Sequence, residues 1–119
     1  MTFLNVDDSS TMRKIVTLAL TGAGHTSTEA ENGQQALDAL KKAAVDCVIL
    51  DINMPVMGGI DFLKARKADA AISKIPVIVL TTQDDQALKD EAMALGAAAF
   101  VVKPFQKEDI LATIKKVIG

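Results

Sequence analysis

Short apolar runs without polar alternation recur along this chain and limit its fold more than any other feature. Val48-Ile49-Leu50, Val77-Ile78-Val79-Leu80 and Phe100-Val101-Val102 carry no polar face, the pattern of strands buried on both sides. Phe3-Leu4-Asn5-Val6 is similar, interrupted by one amide. Helical patterns lie between these runs. Met12, Ile15, Val16, Ala19 and Leu20 form one stripe behind the cap residues Ser9 and Ser10, and it stops near Gly22 and Gly24. Further stripes are Ala36, Leu37 and Leu40; Ile60 and Leu63; Leu88, Ala92 and Leu95, closed by Gly96; and Ile110, Leu111, Ile114, Val117 and Ile118. A weak polar strand around Thr26 to Glu29 suits only a sheet edge. Five strands alternating with five helices predict an α/β fold: a doubly wound parallel sheet with right-handed crossovers and helices on both faces.

The 119 residues leave room for one domain, spanning 1–119, with no output domain expected. Lys and Arg total 13 against 15 Asp and Glu, so the chain lacks the basic footprint of a nucleic-acid binder. Cys47 is the single cysteine and lies in an apolar run; it reads as a buried, inert thiol in a reducing compartment. Neither a signal-peptide pattern nor a membrane-length apolar run is present, so a cytoplasmic location without membrane insertion is expected.

The apolar runs end on polar residues of different kinds: Asp7 with Asp8, Asp51, Thr81 and Lys103. In a parallel sheet these meet at the carboxyl edge, where such folds bind ligands. Acids grouped there disfavour one another's ionisation unless a cation joins them, which points to a divalent metal and a phosphoryl group. Asp51, on the most hydrophobic strand, suits a nucleophile towards phosphorus, although a turn-capping aspartate reads the same in isolation. Asp7 and Asp8 suit Mg²⁺, which takes one or two carboxylates together with phosphate oxygens; the competing reading is helix capping, a task Ser9 and Ser10 already fill. Lys103 can balance the acids and bind a phosphoryl oxygen, or be an ordinary solvated lysine. Thr81 offers a hydroxyl, yet alone is an unremarkable β-branched strand residue. His25, far from every acid in sequence, reads as a surface residue.

Val6-Asp7-Asp8-Ser9, Val48-Ile49-Leu50-Asp51-Ile52-Asn53-Met54-Pro55, Val79-Leu80-Thr81-Thr82 and Val102-Lys103-Pro104-Phe105 together resemble the receiver domain of bacterial two-component response regulators, over the full chain. Stand-alone chemotaxis regulators are the most similar members, and their flavodoxin-like sheet order, 2-1-3-4-5, is implied by that resemblance. The resemblance further implies that Asp51 accepts a phosphoryl group from the phosphohistidine of a sensor histidine kinase. Asp8, Asp51 and the backbone carbonyl of Asn53 would coordinate Mg²⁺, with Asp7 acting mainly through a metal-bound water. Lys103 and Thr81 would bind phosphoryl oxygens, Thr81 and Phe100 would form the switch, and Lys103-Pro104 would be a cis peptide. Asn53, Thr82 and Gln83 would modulate dephosphorylation. The altered surface, on the fourth helix, fifth strand and fifth helix, would meet a downstream protein such as a flagellar motor switch protein, and a phosphatase could reset the protein.

The sequence departs from the chemotaxis pattern in three places. Phe100 stands where tyrosine is usual, so an inward ring has no phenolic hydrogen bond. Thr82 replaces a small residue, and its bulk beside the phosphoryl site is expected to alter dephosphorylation. Asn5 interrupts the first strand and needs partners if buried. Other readings are a phosphorelay intermediate or a stress-signalling receiver, with the same site residues, and a degenerate receiver used only for docking. A metal-dependent aspartyl phosphatase is disfavoured because Asn53 occupies the position of its second acid. A flavin carrier is disfavoured by the clustered acids and by the absence of Trp and Tyr.

Overall fold

The computed structural model describes residues 1–52, 58–82 and 86–118. Five strands alternate with five helices: β1 (Thr2–Val6), α1 (Ser10–Gly22), β2 (Thr26–Ala30), α2 (Gly33–Lys42), β3 (Cys47–Asp51), α3 (Gly59–Ala68), β4 (Val77–Thr82), α4 (Gln86–Ala94), β5 (Ala99–Lys103) and α5 (Lys107–Ile118). All strand pairs are parallel and the sheet order is β2-β1-β3-β4-β5, as the apolar pattern and the resemblance led us to expect. Among the described residues, no helix is long and apolar enough to cross a membrane.

Local chemistry sets the helix ends. Ser9 caps α1, its hydroxyl accepting from Met12 N–H at 3.2 Å, while Ser10 is already helical. Asn32 caps α2 by accepting from Gln35 N–H, and the Gln35 side chain accepts in return from Glu31 N–H, both at 2.9 Å. Helices α1 and α4 end where Gly24 and Gly96 take φ of 88° and 97°. Beyond each glycine the next N–H reaches back, His25 to Leu20 O and Ala97 to Ala92 O, both at 3.0 Å. This closure requires a left-handed residue that glycine adopts without a Cβ penalty.

Strand alternation divides the interior into two cores. Leu4, Val6, Val48, Leu50, Val77 and Val79 face the side carrying α2, α3 and α4. Phe3, Cys47, Ile49, Ile78, Leu80 and Val101 face the side of α1 and α5. Burial pushes the Cys47 thiol up to about 12, which makes it the inert group its neighbours suggested. His25 corrects the surface reading: it is half-buried, Nδ1 is enclosed, and its ring meets Phe3 edge-on at a centroid distance of 4.9 Å.

Asn5 is fully buried on the α1 side of β1. Its Nδ2 donates to Arg13 O at 2.9 Å and to Thr17 Oγ1 at 3.3 Å, whereas Oδ1 has no hydrogen-bond partner among the described residues. An enclosed acceptor without a donor costs about 1–3 kcal/mol. We therefore expect Asn5→Val to raise stability by about 1 kcal/mol, read from the urea unfolding midpoint; a lower midpoint would mean that the Nδ2 bonds outweigh the orphaned oxygen. Gly59 has the opposite sensitivity. A Cβ there would lie 2.6 Å from Ile52 Cα and 3.1 Å from Asp51 O, atoms of a buried segment that cannot retreat. Gly59→Ala should lower stability by about 1–3 kcal/mol in the same assay.

Candidate functional site

The carboxyl edge of the central strands gathers the residues that the sequence singled out. Asp7 follows β1 directly and Asp51 ends the adjacent β3, and both are buried, with 1% and 4% of their surface exposed. Asp8 is exposed beside them. One carboxylate oxygen from each of Asp7, Asp8 and Asp51 lies within 4.8 Å of the others. Lys103, at the end of β5, reaches across with Nζ donating to Asp51 Oδ1 at 3.1 Å and standing 4.0 Å from Asp7 Oδ2. Residues two apart on a strand share a face; Asp7 follows Phe3 and Asn5, Asp51 follows Cys47 and Ile49, and Lys103 follows Val101. All three thus lie on the α1 and α5 side. Thr81 is buried with 1% of its surface exposed and lies on the opposite face from Leu80.

Asp7 is held on nearly every side. Its N–H donates to Ala30 O at 3.1 Å, its carbonyl accepts from Arg13 Nη1 at 2.7 Å, and Oδ1 accepts from Ser9 N–H at 2.9 Å. Oδ2 is enclosed and has no hydrogen-bond partner among the described residues. Burial is the main reason that its carboxyl is pushed up to about 6, with the charge of Asp51 and a side-chain hydrogen bond to Asp51 adding to the rise. The Ser9 N–H and Lys103 oppose it.

This donor set fits a hard divalent cation. With the acids ionised, three negative charges face one ammonium, a surplus of two that Mg²⁺ would cancel. Asp7 Oδ2 is a desolvated oxygen without a hydrogen-bond donor among the described residues, with Lys103 Nζ no nearer than 4.0 Å, and clustered carboxylate oxygens are what Mg²⁺ accepts. Asp7, Asp8 and Asp51 are the residues that would hold it. Asn53 and Gln83 lie outside the described residues, as does the side chain of Thr82. The Lys103-Pro104 peptide is cis. Phe100 is half-buried and packs against the core on the α2, α3 and α4 side. Sequence reasoning missed Arg13; a basic residue in the first turn after Asp7-Asp8 was the available signal.

Comparison with known proteins gives a consistent picture. Residues 3–115 match the family model of the response regulator receiver domain. The chain is 40% identical over 118 residues to "Chemotaxis protein CheY-3" of Vibrio cholerae, covering 98% of this chain and 91% of that protein. It is 38% identical over 121 residues to "Chemotaxis protein CheY homolog" of Campylobacter jejuni, covering 100% and 93%. The crystal structure of the chemotaxis response regulator CheY4 of Vibrio cholerae superposes with a TM-score of 0.91 at 39% identity, covering 98% of this chain and 97% of that one.

The raised carboxyl of Asp7 has a consequence for stability. Its ordinary value is 3.8, so between that pH and about 6 the metal-free native state keeps a proton that the unfolded chain has released. The group is neutral in effect below about 3.8. It becomes increasingly destabilising as pH rises through about 6, and the penalty is constant above. In EDTA at pH 7.5, Asp7→Asn should therefore be more stable than the parent by about 3 kcal/mol, the gap closing near pH 4. Urea unfolding across that range measures it, and a gap independent of pH would refute burial as the cause.

Proposed function

The chain belongs to the response regulator receiver domain family, and on that premise we propose that it is a phosphorylation switch whose acceptor is Asp51. The observation that carries this reading is the convergence of Asp7, Asp8 and Asp51 around one point, with Lys103 Nζ 3.1 Å from the proposed acceptor. The domain, taken as residues 1–119, catalyses its own phosphorylation and hydrolysis and otherwise acts by binding proteins.

A sensor histidine kinase supplies the phosphoryl group. A carboxylate oxygen of Asp51 forms the new O–P bond as the N–P bond of the donor phosphohistidine breaks, and the electron pair returns to the imidazole, which takes a proton. Asp51 is suited to this because it ends a fully buried strand and its backbone is clamped by the close approach of Gly59, so it reacts without first being ordered. Asp7 and Asp8, with Asp51 and the Asn53 carbonyl, hold Mg²⁺, which when bound offsets negative charge on the transferring group. Lys103 moves from its carboxylate partner to a phosphoryl oxygen, and Thr81 donates its hydroxyl to another. Asn53, Thr82 and Gln83 set how readily water reaches the acyl phosphate.

The readout follows from Thr81. Drawing its hydroxyl towards the phosphoryl group frees space on the face shared with Phe100, whose ring then turns inward. The exposed surface of α4, β5 and α5 changes as a result. This is a two-state equilibrium biased by a local charge. The chemotaxis names of the relatives favour a target in chemotaxis; a flagellar motor switch protein as that target, a phosphatase as the resetting partner and the cytoplasm as the location belong to the same proposal.

Intact-protein mass after incubation with a small acyl-phosphate donor tests the reading. One added phosphoryl group that requires both Mg²⁺ and Asp51, and is lost in Asp51→Asn, is expected. A folded, Mg²⁺-binding protein that takes up none would instead be a docking module.

A further inference from the structure

Arg13 holds the acidic pair from behind through the main chain of Asp7. It stands in the first turn of α1, and its side chain is only 13% exposed. Nη1 donates to Asp7 O at 2.7 Å, Nε donates to Glu29 Oε1 at 3.0 Å, and Nη2 lies 3.8 Å from Glu31 Oε1. Its own backbone is fixed as well, with N–H donating to Ser9 O at 3.0 Å and O accepting from the buried Asn5 amide at 2.9 Å. The carbonyl it holds belongs to the peptide that joins Asp7 to Asp8. That unit is planar, so fixing its oxygen restrains the peptide plane to which both acidic residues are attached.

We propose that Arg13 is a positioning residue for the metal-binding carboxylates, acting as a strap between edge strand β2 and the Asp7-Asp8 peptide; the inference rests on the receiver reading above. The guanidinium fork is suited to this because its nitrogens are rigidly related, so anchoring one edge on Glu29 and Glu31 aims another at Asp7 O. The two glutamates also neutralise a cation that would otherwise repel an incoming metal. With Arg13 on the carbonyl, Ala30 O on the N–H and Ser9 N–H on Oδ1, Asp7 presents Oδ2 alone and in one place.

Position and charge predict opposite results when the guanidinium is removed. Arg13→Met deletes a positive charge near the acids, so long-range electrostatics alone would tighten Mg²⁺ binding. Loss of positioning weakens it, by about 10-fold on the scale of residues that orient metal ligands. The experiment is calorimetric titration of Mg²⁺ into the full chain and into Arg13→Met and Arg13→Lys, with amide NMR shifts of Asp8 and Ser9 followed in parallel. We expect weaker binding in Arg13→Met, partial retention in Arg13→Lys, and displaced Asp8 and Ser9 resonances before any metal is added. Folded Arg13→Met, or Arg13→Lys should the methionine variant not fold, that binds Mg²⁺ as tightly as the parent or more tightly overturns the proposal. In that case a parent that still binds Mg²⁺ and is phosphorylated leaves the receiver reading intact; a parent that binds no Mg²⁺ removes both.

Discussion

Carboxylates resist being brought together, and this fold spends much of its local structure holding Asp7, Asp8 and Asp51 within 4.8 Å of one another. Repulsion among them is compounded by burial, since Asp7 and Asp51 are almost fully withdrawn from water and charge is poorly solvated there. Lys103 relieves part of the strain through Asp51. The remainder leaves Asp7 with an elevated affinity for a proton. Proton, ammonium and divalent cation thus compete for one pocket of negative potential, and occupancy by any of them changes what the others experience. A site built this way is responsive because it is incompletely compensated by its own residues.

The sheet architecture was readable because the central strands are apolar on both faces. That pattern excludes a half-solvated antiparallel sheet and leaves few topologies for alternating strands and helices. The acids and Lys103 were readable for a related reason: each sits where such a run stops, and parallel strands bring their stops together. Ser9 followed from ordinary cap chemistry. The contribution of Arg13 was hidden because its partner is a main-chain carbonyl, and no residue pattern marks a carbonyl as a target. The packing role of Gly59 comes from the close approach of Ile52 Cα, which tertiary structure supplies. His25 misled because its ring packs on Phe3, a neighbour supplied by the sheet rather than by adjacent sequence.

Arg66 illustrates the same limit in the body of the fold. It is 5% exposed, and burial pulls its guanidinium down from its ordinary value. Its Nε and Nη2 both donate to Ile75 O, at 2.9 and 2.7 Å, tying the end of α3 to the segment that enters β4. Nearby, Lys67 Nζ meets Ala94 O at 3.4 Å, so consecutive basic residues of α3 serve carbonyls ahead of β4 and at the end of α4. A helical wheel would place both among solvated charges. Their role emerges only when tertiary structure supplies backbone oxygens that lack enough donors of their own.

The two hydrophobic cores lie on opposite faces of one sheet, so the molecule resembles two compartments separated by a wall. Asp7, Asp51 and Lys103 open on one compartment, while Thr81 belongs to the other together with Phe100. On the proposed reading, the acceptor and the switch pair Thr81 and Phe100 therefore face different compartments. Under that reading, repacking the α2, α3 and α4 compartment would shift the balance between switch states while leaving Asp51 undisturbed, a separation that would let one chemical centre serve many different listeners.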